Sequence, residues 1–123
     1  MKKHKLEVGE ETRDDLTRIY KLSGCLFGSS EAYAFQEDVR EKIASGATRI
    51  VIDLSAVEKI DSSGIGILVA AMWSASRGGA GLVLAALSST VEKVLSIAML
   101  LEHIDHAATV DDALASLDRM DLD

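Results

Sequence analysis

The chain has 123 residues, enough for one domain with a core of its own, and 48% of them are hydrophobic against 27% charged, which excludes a disordered chain and a membrane-embedded one. A net charge of -7 lacks the basic footprint that nucleic acid or an anionic membrane surface demands. The single cysteine, Cys25, cannot close an internal disulfide, which fits a reducing compartment and a small apolar filler.

The opening "MKKHKLEVGEETRDD" carries no apolar stretch behind its lysines, so it does not read as a secretory signal, and Lys2, Lys3, His4 and Lys5 read as a solvated tail. No later run reaches the roughly 18–20 apolar residues of a spanning helix, so no membrane insertion and a cytoplasmic location are expected. "KLEVG" suggests a short first strand. "TRIYKL" predicts a half-exposed strand, with Tyr20 and Leu22 on one face and Ile19 and Lys21 on the other. Ser29 or Ser30 can cap a helix whose Ala32, Phe35, Val39 and Ile43 form one stripe, with Gly46 as its stop. "RIVIDL" is the β-branched run of a central strand buried on both faces.

A second helix is predicted from about Ser62 to Arg77, ended by Gly78-Gly79, and "GLVLAAL" is the next buried strand. Ser89-Thr90-Val91-Glu92 matches a capping box and starts a third helix with Val91, Val94, Leu95 and Ala98 inward. "HAATV" holds a last short strand, after which Thr109-Val110-Asp111-Asp112 caps a terminal helix that buries Val110, Ala113, Leu114 and Leu117. The alternation of strands and helices predicts a single α/β domain: a mixed sheet of four to five strands, largely parallel with an antiparallel edge, and about four helices packed against it.

"DSSGIG", Asp61 to Gly66, stands at the carboxyl end of the central strand, where α/β sheets expose their working surface. A serine there can simply cap the helix, contributing about 1 kcal/mol, and Asp61 suits the positive end of the helix dipole. Gly64 and Gly66 need a further reason, because glycine in a helix costs about 1 kcal/mol relative to alanine. Tight helix–sheet packing or close approach by another protein's backbone would each supply one. Ile65, Ile67, Leu68, Val69, Met72 and Trp73 point in nearly every direction around the axis, so either Ala70, Ala71, Ser74 and Ser76 supply a mild outer face or some of these apolar groups form an exposed patch, the mark of a partner surface.

Other chemistries find no support. Ser62 lacks the G-x-S-x-G elbow of a hydrolase and a histidine placed beside it. His103 and His106 lack a third metal ligand, so no metal and no cofactor is expected. The acids of a phosphoaccepting receiver are out of place, and "GGAGLVL" ends a helix where a phosphate-binding fingerprint would start one. The chain is not expected to be an enzyme.

"VIDLSAVEKIDSSGIGILVAAM" resembles the core segment of STAS domains, named for sulphate transporters and anti-sigma factor antagonists, and the resemblance runs from about Leu6 to Leu117 of a single domain spanning 1–123. In bacterial anti-sigma factor antagonists of this family, the serine directly after the Asp of this motif is phosphorylated by the anti-sigma factor, which is also the binding partner. The resemblance therefore implies that Ser62 is a phosphorylation site, with Asp61 and Ser63 its matching neighbours. It implies that the unphosphorylated chain binds an anti-sigma factor serine kinase and frees a sigma factor, and that a phosphatase resets the phosphorylated form. The implied partner surface comprises Asp61, Ser62, Ser63, Gly64, Ile65, Gly66, Leu68 and Val69, with Phe27 beside it. Sporulation-type members often carry Gly-Glu-Leu-Asp in the loop before the first helix; this chain has Gly24-Cys25-Leu26-Phe27, so Phe27 replaces an aspartate at the partner site. A STAS scaffold subunit, in a stress-signalling assembly or a lipid-transport ATPase complex without phosphorylation, is the alternative. Edge strands leave room for a weak homodimer.

Overall fold

The run Ile50–Val51–Ile52 is buried on both sides because helices cover both faces of the sheet it belongs to. The structure, a computed structural model, describes residues 5–121; Lys2, Lys3 and His4 of the basic cluster lie outside the described residues. In chain order the elements are β1 (Leu6–Thr12), β2 (Thr17–Leu26), α1 (Ser30–Ala44), β3 (Arg49–Ile60), α2 (Ser62–Arg77), β4 (Gly81–Ala85), α3 (Ser89–Ile97), a 3-10 turn (Leu101–His103), β5 (His106–Ala107) and α4 (Val110–Asp121). The sheet has five strands in the order β1-β2-β3-β4-β5. β1 runs antiparallel to β2, and every other neighbour is parallel.

The helices divide unequally. Tyr20, Leu22, Ile50, Ile52, Leu54 and Leu84 pack with Phe35 and Val39 of α1, Leu68 and Ala71 of α2, and Val91 and Leu95 of α3. On the opposite face Ile19, Val51, Val83 and Ala85 are covered by Ala113 and Leu117 of α4. The second face of β2 is divided: Lys21 is exposed as expected, whereas Ile19 beside it is buried under α4.

The predicted stripe of α1 is buried as a unit, and Ser29 is its cap, the hydroxyl accepting from the Ala32 N–H at 3.1 Å. α3 departs from expectation. Its cap is Ser88, which accepts from the Val91 N–H at 3.3 Å, and the box at Ser89 is not used. Only Val91 and Leu95 are buried there; Val94 is half-buried and Ala98 is exposed. Thr109 caps α4 by accepting from the Asp112 N–H at 3.0 Å; Ala113 and Leu117 are buried, Val110 and Leu114 half-buried.

β2 and β3 are both longer than their apolar runs. Gly24, Cys25 and Leu26 belong to β2, not to a loop, and pair with β3 after register shifts at Lys21/Ser23 and Gly24/Cys25. Gly24 bears the irregularity: its φ is +99°, and a Cβ would sit 2.3 Å from the Lys5 carbonyl oxygen. β1, β2 and α1 are tied by a polar cluster. The Tyr20 hydroxyl donates to Asp38 at 2.7 Å, and Lys42 bridges Asp38 at 3.0 Å and Glu10 at 3.2 Å. Burial and the Asp38 carboxylate push the Tyr20 pKa well above the ordinary phenol value. Burial opposes the Asp38 charge, but the hydrogen bonds from Tyr20 and Lys42 outweigh it and hold Asp38 below the usual carboxylate range. The end of β2, the start of α1 and the junction of β3 with α2 thus meet at one end of the sheet.

Candidate functional site

At that end the chain leaves β3 through Asp61, whose extended backbone (φ -119°, ψ -172°) is the entry geometry of a helix cap. The Asp61 Oδ1 accepts from the Gly64 N–H at 3.0 Å, and its carbonyl accepts from the Ile65 N–H at 3.0 Å. Asp61 is therefore the cap of α2, and neither serine is. Its own N–H reaches the Leu26 carbonyl at 3.4 Å, joining the turn to the end of β2.

With Asp61 in that role, Ser62 and Ser63 are released from capping, and they part company. Ser63 is half-buried against the β2–α1 connection: a Cβ on Gly28 would lie 3.0 Å from the Ser63 Cβ and 3.3 Å from the Tyr33 hydroxyl. Ser62 is exposed. Backbone N–H groups in the first turn have no intrahelical acceptor, so the hydroxyl of Ser62 stands in the positive field of the helix terminus.

The two glycines separate in the same way. Gly64 is buried, and a Cβ there would be 2.0 Å from the Leu26 carbonyl oxygen and 2.9 Å from the Ile60 Cγ1. A Cβ on exposed Gly66 would meet nothing within 4 Å. Helical spacing aligns Ser62, Gly66, Val69 and Trp73 along the outer side of α2, with half-buried Ile65 and Met72 on its flank. Two residues expected on the partner surface are withdrawn from it. Leu68 is fully buried among the core residues of the sheet, and Gly64 faces Leu26. Phe27 is half-buried directly after β2, with its carbonyl accepting from the Ser29 N–H at 2.9 Å.

Two aromatic side chains are exposed on these helices: Trp73, one of the candidates for an apolar patch on α2, and Tyr33, which was not singled out from the sequence. Tyr33 is 53% and Trp73 58% exposed. Tyr33 was legible in principle, since it lies off the inward stripe of α1; Trp73 stands three helical turns beyond Ser62. His103 lines a cavity with Met72 and Ser76 near the last turns of α2, remote from its first turn. Among the described residues, no group of three or more His, Cys, Asp or Glu could hold a metal, and no helix is long and apolar enough to cross a membrane.

A family model described as STAS domain matches residues 10–113. The chain belongs to the STAS domain family. Solved structures agree on the fold. The anti-sigma factor antagonist SpoIIAA in its unphosphorylated form is 22% identical, with 91% of this chain and 96% of that one covered and a TM-score of 0.78. The Bacillus SpoIIAA in its phosphorylated form is 23% identical over 89% of this chain and 98% of that one, with a TM-score of 0.63. An anti-sigma factor antagonist from Mycobacterium paratuberculosis is 24% identical over 93% and 95%, with a TM-score of 0.79. A putative anti-sigma factor antagonist from Thermotoga maritima is 26% identical over 90% and 94%, with a TM-score of 0.75. This STAS domain therefore has the architecture of anti-sigma factor antagonists, with Ser62 on its surface at the start of α2.

Proposed function

We propose that this STAS domain is an anti-sigma factor antagonist, a binding module of the cytoplasm whose adhesion to an anti-sigma factor serine kinase is switched by phosphorylation of Ser62. The observation that carries the reading is the division of labour in the first turn of α2. Asp61 holds the cap, so the Ser62 hydroxyl is exposed and holds nothing. SpoIIAA, a structural neighbour, occurs in phosphorylated and unphosphorylated forms, which supports a covalent switch on this architecture.

In the step proposed, the Ser62 oxygen attacks the γ-phosphorus of ATP held by the kinase. Its proton passes to a base of the kinase, and ADP leaves. A phosphatase reverses the state by hydrolysis. The new group carries about -1.5 to -2 charges and three acceptor oxygens. Free N–H groups and the helix dipole accommodate it on the domain's side. On the partner's side it puts a dianion beside Asp61 and at the head of the ridge formed by Ile65, Gly66 and Val69. Like-charge contact and desolvation across such an interface cost several kcal/mol, and each 1.4 kcal/mol is tenfold in occupancy. Phe27 gives the neighbouring corner an apolar contact, which selects a kinase with a matching apolar surface.

The test is incubation with an anti-sigma factor serine kinase and ATP, with the phosphate located by mass spectrometry. Phosphate is expected on Ser62, absent from Ser62→Ala, and Ser62→Asp is expected to weaken kinase binding by at least about tenfold without lowering Tm. Phosphate found on another residue, or uptake unchanged in Ser62→Ala, would overturn the reading.

A further inference from the structure

The outer groove between α1 and α2 has a chemistry that the Ser62 switch does not use. It has a volume of about 530 Å³, and its lining includes Gln36, Arg40, Ile43, Ala70, Trp73 and Arg77. Trp73 is the chain's only tryptophan and is 58% exposed. The Arg77 guanidinium lies 5.7 Å from its ring centroid, so one cation is held against the aromatic face. Arg77 forms no ion pair among the described residues; Arg40 pairs with Glu37, an exposed i,i+3 contact that water screens. In a chain of net charge -7, two arginines on one apolar groove stand out against the general sign of the surface. Tryptophan and arginine are the side chains that most often dominate binding energy, because both contribute large contact area and Arg forks carboxylates in bidentate fashion.

We propose that this groove docks an acidic peptide segment carrying an apolar anchor. The anchor packs on Trp73 above the small side chain of Ala70, and flanking carboxylates bond Arg40 and Arg77. The charge complementarity selects the occupant: a basic or neutral segment leaves the Arg77 guanidinium without a carboxylate and gives Arg40 none beyond Glu37. Trp73 stands three turns from Ser62, about 16 Å along the helix. That is beyond the Debye length of about 8 Å at physiological salt. Docking here is therefore indifferent to charge at Ser62, and a partner can stay attached while the other end of α2 changes state.

The experiment uses the full chain and its single tryptophan as reporter. The probe is a synthetic amphipathic peptide of Glu, Ala and Leu, with its Lys-for-Glu counterpart as control. The expected result is a saturable shift of Trp73 emission with the acidic peptide alone, weakened at least about tenfold in Arg77→Glu and in Arg40→Glu, and unchanged in Ser62→Asp. Both arginines are exposed, and unaltered thermal unfolding verifies that the variants fold. Absence of a shift up to about 1 mM peptide, equal binding of the lysine peptide, or full affinity in both arginine variants overturns the proposal. Loss of binding in Ser62→Asp also overturns it, by moving the site to the other end of α2. Failure of the Ser62 phosphorylation assay leaves these outcomes untouched.

Discussion

Gly64 and Gly66 sit two residues apart in the same helix and have opposite reasons to be glycine. A Cβ on Gly64 would lie 2.0 Å from the carbonyl oxygen of Leu26, whereas one on Gly66 would meet nothing within 4 Å. The first is required by the fold, since α2 lies directly on the end of β2. The second is required by nothing inside the molecule, although an exposed glycine in a helix costs about 1 kcal/mol relative to alanine. The contrast extends along the helix. Leu68 and Ala71 are sealed against the sheet, while Ser62, Val69 and Trp73 lie on the outer side. The inner side of α2 is fixed by packing, and the outer side is left for whatever meets it.

The sharpest way to break this contrast is Gly64→Ala. The methyl adds about 1 kcal/mol of helix propensity but collides with backbone, and overpacking costs typically 1–3 kcal/mol and sometimes more. The clash wins, so a net loss of about 2–3 kcal/mol is expected in urea unfolding. Unchanged stability would mean that α2 can lift from β2. Next is Asp61→Ala, which removes the cap and is expected to cost about 1 kcal/mol, whereas Ser62→Ala should stay within about 0.5 kcal/mol of the parent; equal losses would return the capping role to the serine. Of similar size is the polar cluster at Tyr20, which ties α1 to β1 and β2. Its raised pKa leaves stability intact below the unfolded-chain phenol value of about 10. As pH rises past that, the unfolded chain releases the proton, the folded one retains it, and stability falls. Tyr20→Phe should lose about 1 kcal/mol at neutral pH and flatten that alkaline decline, with partner affinity unaltered. The smallest effect is Gly66→Ala, expected to stabilise by about 0.5–1 kcal/mol while weakening kinase binding. A stabilised variant that binds as before would deny Gly66 any place in the interface.

The element order was legible because the buried strands are short apolar runs between polar breaks and because α1 and α4 carry a helical period, at Ala32–Ile43 and Val110–Leu117. What failed was local. The second half of β3 contains Ser55, Glu58 and Lys59, which break the apolar signal although the backbone continues to pair with β2. Asp61, Ser62 and Ser63 are all good caps, and only the geometry of the turn selects Asp61. Leu68 was placed outside because α2 is apolar almost all round; its inward direction is set by Leu26 and the sheet, which the helix's own residues do not encode. Ser62 was legible from its motif, but its freedom was not, since that depends on which neighbouring oxygen claims the Gly64 N–H.

That last detail bears on how long the protein lasts. Because Asp61 secures the first turn, a group esterified to Ser62 takes away no bond that keeps the chain folded. Cellular proteases sense opening of the chain, and the open fraction is set by folding free energy. Under the proposed switch, a mark on that oxygen leaves the open fraction of the molecule unchanged, so the same turnover is expected in either state.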